Sequence, residues 1–116
     1  MNNHVVAVTK EFTWDCAHVL TGHKGLCQNL HGHTYKMLVT VSRNNEEVVI
    51  ESGPSAGMVV DFKKLKAIVG ELIVNPMDHA TVIDISTEDV FSQELYQLLK
   101  RHDKKIFEVE YRPTAE

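Results

Sequence analysis

HGHTYKMLVTVS, His31 to Ser42, is the stretch on which the fold reading turns. Tyr35, Met37, Val39 and Val41 share one parity, and His31 and His33 continue it. Side chains two apart on an extended chain point to the same face, so this run reads as a strand with one apolar side. The two imidazoles then stand on that side, roughly 6.5–7 Å apart along the chain at about 3.3 Å per residue. Gly32 between them leaves the opposite face free for close backbone packing.

Working outward, TGHKGLCQN at 21–29 reads as a loop, and VVAVTKEFTW at 5–14 as a preceding strand. Asn44-Asn45 suggests a turn. VVI at 48–50 and MVV at 58–60 are strand-like, separated by the loop-like SGPSAG. Asp61 suits a helix N-cap before FKKLKAIVGELIV, where Phe62, Leu65, Ile68, Val69 and Leu72 form an amphipathic stripe. Asn75-Pro76 should stop that helix, because proline disfavours helical geometry in the residue before it. MDHATVIDIS, 77–86, reads as a loop or short extended piece. A second helix spans 86–102, with Val90, Leu95, Leu98 and Leu99 on its apolar side. A strand follows from Ile106 to Tyr111, and Pro113-Thr114-Ala115-Glu116 looks like a helix start.

The chain has 116 residues, a formal charge of -4 and 43% hydrophobic residues, which fits one globular domain over 1–116. An acidic balance argues against nucleic acid as a partner. No apolar run is long enough for a membrane span. MNNHVVAVTKEF lacks the pattern of a secretory signal, and two cysteines, Cys16 and Cys27, are too few for a disulfide framework. Both point to a cytoplasmic protein.

Seven histidines are unusual for this length, and four of them, His18, His23, His31 and His33, fall within sixteen positions. Imidazole is the commonest transition-metal side-chain ligand. An H-x-H pair alone is weak, since two histidines at an exposed strand end would look the same. His18, just after the first predicted strand, is the best third ligand, and three imidazoles without a fourth protein ligand make an open zinc site. Cys27 is either a small buried hydrophobe or, near a dication, a thiolate able to act as base or nucleophile. Asp78-His79 is a common surface dipeptide, but a turn that brings the pair together makes a proton relay. His4, His23, His102 and Cys16 read as structural or solvated, with His23 a spare ligand candidate. Lys24 is a triphosphate-binding candidate by charge only.

Taken in order along the chain, these pieces resemble the 6-pyruvoyltetrahydropterin synthase and 6-carboxytetrahydropterin synthase family. The matching strings are Cys16-Ala17-His18, Cys27-x3-His31-Gly32-His33, Gly57-Met58-Val59-Val60-Asp61-Phe62, Met77-Asp78-His79 and Pro113-Thr114-Ala115-Glu116. The resemblance implies an α+β tunnelling fold, an antiparallel sheet with helices on one face, assembled as a hexameric dimer of trimers. It implies zinc on His18, His31 and His33, Cys27 as general base and Asp78 and His79 as its relay. Thr114 would adjoin the pterin pocket. The implied reaction converts 7,8-dihydroneopterin triphosphate to 6-carboxy-5,6,7,8-tetrahydropterin, in the pathway to queuosine. Other pterin products, or a non-catalytic zinc-binding module, are the alternatives. In the family pattern P-T-x-E opens a helix followed by a strand bearing a pterin-anchoring Glu. Neither Glu108 nor Glu110 occupies that position, so the chain is expected to be a truncated version of the pattern.

Overall fold

A computed structural model describes residues 5–43 and 48–116. Two long strands form its spine: β1, Ala7–His18, and β2, His31–Ser42. They pair antiparallel in unbroken register from Ala7 opposite Ser42 to His18 opposite His31. The parity read from the sequence is the parity observed. On β1, Phe12, Trp14, Cys16 and His18 are buried while Glu11, Thr13 and Asp15 are exposed. Tyr35, Met37, Val39 and Val41 of β2 pack on the same side. Trp14 and Tyr35, directly opposite in the ladder, stack with ring centroids 5.8 Å apart.

The first strand runs four residues further than the hydrophobic pattern suggests, because Cys16 and His18 keep the alternation although neither is a usual strand signal. Between the strands lies a single 3-10 turn, Leu26–Gln28. Residues 48–50 and 58–60 are not strands. They close a loop through Ile50 N–H to the Met58 carbonyl and Gly57 N–H to the Ile50 carbonyl, both 2.8 Å, with Gly57 at φ +85°. The Asn44-Asn45 turn and His4 lie outside the described residues.

Helix α1, Phe62–Val69, opens on Asp61, whose carboxylate accepts the Lys63 N–H. It lays Leu65 and Val69 onto Phe12 and Trp14. Phe62, Ile68 and Leu72, expected in the same stripe, are exposed. Asn75-Pro76 does not end the helical path. A π-helical turn, Gly70–Val74, leads into a last turn α2, Asn75–Met77, with Asn75 itself in helical geometry. The Asn75 N–H reaches back to Gly70. This widened turn is how a helix admits a proline that would collide with a regular one.

Strand β3, Thr81–Asp84, helix α3, Val90–Arg101, and strand β4, Ile106–Val109, complete the described elements. Asp89 caps α3 through the Ser92 N–H. Leu95 and Leu99 are half-buried, whereas Val90 and Leu98 of the expected apolar side are exposed. Residues 110–116 carry no helix or strand, so the expected strand ends at Val109 instead of Tyr111, and the expected helix start at Pro113 is not formed.

The α+β class stands, with two corrections to the expected layout. The sheet, in order β2-β1-β3-β4, is mixed: β3 pairs parallel with β4, and with β1 at Ala17–Thr81. Helix α3 is the crossover that lets β4 return in the direction of β3. Nor do the helices share one face. Phe107 and Val109 of β4 join the core with α1, while Glu108 between them accepts the Tyr96 hydroxyl of α3 at 2.6 Å. Successive strand residues point oppositely, so α3 covers the other face.

Candidate metal centre and its surroundings

The ladder that pairs His18 with His31 also pairs Cys16 with His33, so three imidazoles emerge on the core face at one end of the ribbon. Their Nε2 atoms form a triangle with every side 3.0 Å. The rings meet edge to face, with centroids 4.6–4.9 Å apart. The other nitrogens have separate work. His18 Nδ1 lies 2.5 Å from the Pro113 carbonyl and His31 Nδ1 lies 2.7 Å from the Asn29 carbonyl. A carbonyl only accepts, so both Nδ1 atoms carry the proton and both Nε2 atoms present lone pairs. Lone pairs converging on one point repel unless a cation lies between them. His18, His31 and His33 would hold such an ion, the triangle being small enough for zinc–nitrogen bonds of about 2.0–2.1 Å. The donor set therefore suits zinc.

His18 is buried and its pKa is lowered, first because burial penalises the imidazolium. The Pro113 carbonyl opposes that shift, and His31 and His33 reinforce it. A neutral imidazole is the ligand form. His23, the spare candidate, is occupied elsewhere: its Nδ1 accepts the Gly25 N–H at 2.9 Å, and it is outside the cluster. Gly32 is not demanded by crowding, since a Cβ there would meet the Cys16 carbonyl at 3.4 Å, an ordinary contact.

Cys27 sits in the 3-10 turn, half-buried, with its carbonyl accepting the Leu20 N–H at 3.0 Å. Its sulfur is not part of the ligand cluster. Asp78 and His79 do form the pair that the sequence suggested, His79 Nδ1 lying 3.0 Å from Asp78 Oδ1. They reach it through a turn in which His79 adopts φ +61°. That turn takes over the inner edge of β1. Asp15 N–H donates to Asp78 Oδ1, His79 N–H to the Asp15 carbonyl, and Ala17 N–H to the Ala80 carbonyl. The Asp15 N–H is the main reason the Asp78 carboxyl titrates below its usual range, with the His79 and Lys105 charges adding to it.

His79 lines a hollow with Asp15, Cys16, Ala17, Gly32, His33 and Thr34, at the edge of β1 to which the dyad is bonded. A groove of about 440 Å³ opens on the core face, lined by His18, Trp14, Tyr35, Val109, Pro113 and Thr114. Thr114 lines the same groove as His18, in a segment that is irregular rather than helical. Three groups escaped the sequence reading. The Asn29 and Pro113 carbonyls carry no sequence signal, and Lys105 becomes visible only once its loop is folded.

The 6-pyruvoyl tetrahydropterin synthase family model matches residues 7–116. A 6-carboxy-5,6,7,8-tetrahydropterin synthase of Haemophilus influenzae is 45% identical over 109 residues, covering 94% of this chain and 73% of that one. A protein of the same name from Synechocystis is 39% identical over 72 residues, covering 62% of this chain and 54% of that one. A crystal structure of an uncharacterized Wolinella succinogenes protein superposes with a TM-score of 0.56 at 19% identity, covering 98% of this chain and 78% of that one. With the histidine triangle in place and the match running from the first strand to the last residue, the chain belongs to the 6-pyruvoyl tetrahydropterin synthase family.

Proposed function

We propose that the chain is a zinc-dependent carbon–oxygen lyase that converts 7,8-dihydroneopterin triphosphate and one water to 6-carboxy-5,6,7,8-tetrahydropterin, with acetaldehyde and triphosphate released. The observation that carries this reading is the 3.0 Å triangle of Nε2 atoms with two Nδ1 atoms tied to carbonyls. The names of the Haemophilus influenzae and Synechocystis relatives support the substrate class.

His18, His31 and His33 would hold the zinc. Bound zinc supplies Lewis acidity toward oxygens of the substrate side chain. Cys27 as thiolate takes a proton from substrate carbon. His79, held at Nδ1 by Asp78, gives or takes a proton through Nε2. Thr114 contacts the pterin at the groove. Hydrogens are redistributed within the substrate and one water supplies the second carboxyl oxygen when the side-chain carbon–carbon bond breaks, so the scheme calls for no external reductant.

Surface area supports an oligomer. The chain exposes 8510 Å², against about 6,400 Å² for a compact monomer of this mass. Its radius of gyration is 19.4 Å, where about 13 Å is usual. Association as a homo-oligomer, a hexamer by the family resemblance, would cover that excess. Among the described residues no helix is long and apolar enough to cross a membrane, which is compatible with the proposed cytoplasmic setting.

The test is turnover of 7,8-dihydroneopterin triphosphate by the zinc-loaded protein, with the product identified by mass, alongside Cys27→Ala. The variant is expected to retain zinc and lose about 10²–10⁴-fold in rate. Loss of zinc with Cys27→Ala would make the thiol a ligand and overturn its role. No turnover by an intact, zinc-loaded oligomer would leave a zinc-binding module, and a different pterin product would move the assignment within the family.

A further inference from the structure

Lys105 lies just ahead of β4 and belongs to no motif that the sequence singles out. Its Nζ donates to two carbonyls, those of Asn75 at 2.5 Å and Asp78 at 2.6 Å. Its own carbonyl accepts the Thr81 N–H at 3.1 Å. One residue therefore holds both ends of the segment 75–81, which carries the Asp78–His79 dyad.

The site needs such a hold for two reasons. The last carbonyls of a helical path have no partners within it and carry partial negative charge, which a cation satisfies. The His79 backbone at φ +61° is costly for a side-chain-bearing residue, and it persists only when its neighbours over-determine it. Asp15 fixes the turn from the β1 side, through its N–H to Asp78 Oδ1 and its carbonyl to His79 N–H. Lys105 fixes it from the β4 side.

We propose that Lys105 is a positioning residue for the reaction: its ammonium clamps the Asn75 and Asp78 carbonyls and so sets the direction in which the Asp78–His79 dyad presents its free nitrogen. The proposal rests on the lyase reading above, in which that dyad moves a proton. Lys105 touches neither substrate nor metal in this scheme, so its loss acts on kcat rather than on zinc content.

The experiment compares Lys105→Met, Lys105→Arg and His79→Ala with the parent, all zinc-loaded. It measures kcat, KM, zinc per chain and the titration of the Asp78 carboxyl by NMR. Lys105→Met is expected to lower kcat about tenfold with KM within twofold and zinc unchanged. Lys105→Arg, which keeps the charge and the donors, is expected to recover most of the rate. In Lys105→Met the Asp78 carboxyl, flanked by Asp15 and His79 as the other titrating groups, is expected to titrate at higher pH. A lysine that acted only through packing would give Lys105→Met and Lys105→Arg the same rate. Parent-like kcat in Lys105→Met beside a large loss in His79→Ala overturns the role of Lys105 and leaves the lyase reading standing. Parent-like rate in His79→Ala overturns the dyad's role in that reading and, with it, the kinetic role of Lys105. The Asp78 titration then decides the clamp: an unmoved carboxyl overturns that as well.

Discussion

Replacing His31 by Ala removes one corner of the nitrogen triangle and leaves His18 and His33 with their Nε2 atoms 3.0 Å apart. Four-ligand zinc sites in small domains bind with about 10–16 kcal/mol, so each protein ligand is worth roughly 3 kcal/mol. At about 1.4 kcal/mol per tenfold, His31→Ala should weaken zinc binding on the order of 100-fold. The zinc-free protein should lose little. His31 is only half-buried, and the mutation also relieves the convergence of lone pairs. The Asn29 carbonyl that its Nδ1 satisfies becomes free to meet water. Competition against a chromophoric chelator gives the affinity, and thermal unfolding with and without zinc gives the stability. The expected pattern is a large loss of the zinc-induced rise in Tm with a nearly constant zinc-free Tm. His23→Ala is the control, since His23 turns its Nδ1 to its own loop. Parent-like affinity in His31→Ala, or an equal loss in His23→Ala, would refute the three-imidazole centre.

The zinc-free protein should also lose stability on mild acidification. Burial lowers the His18 pKa, so the folded state binds fewer protons than the unfolded chain, whose imidazole titrates near about 6.5. This contribution is fully present above that value and declines as pH falls below it toward the lowered folded value. A zinc-free Tm equally flat from about pH 7.5 to 5.5 in parent and His18→Gln would contradict the buried neutral imidazole. In the core, Leu65→Ala should cost about 2–4 kcal/mol by denaturant titration, because Leu65 packs among Phe12, Trp14 and Val69. A cost below about 0.5 kcal/mol, the range of surface substitutions, would mean that α1 is not seated there.

The readable parts of the molecule are those decided by near neighbours in sequence. The period-two pattern of 31–42 fixed β2 to the residue, because one face of that strand is half-buried against the core and a one-residue slip would expose it. Asp61 and its following stripe placed the start of α1, since capping is a local bond. What failed needed distant partners. The mixed sheet depends on where α3 carries the chain, which no local period records. Pro76 was tolerated because the π-helical turn had already displaced the clashing carbonyl. VVI and MVV are apolar without being strands; Val59 is buried within an irregular segment instead. At the site, the side-chain chemistry was legible, with His18, His31 and His33 meeting as expected. The seating of the dyad on the edge of β1 was not. It depends on the bond from Asp15 N–H to Asp78, 63 residues away, which exists only once the chain has folded.

The bond from His18 to the Pro113 carbonyl spans 95 residues. It turns nearly the whole described chain into a ring whose clasp is a metal ligand. Ordering that imidazole and docking the 110–116 tail then draw on the same free energy, so either event lowers the cost of the other. Filling the centre should guard the tail against proteases, and cutting the tail ahead of Pro113 should loosen the ion at the far end of the ribbon.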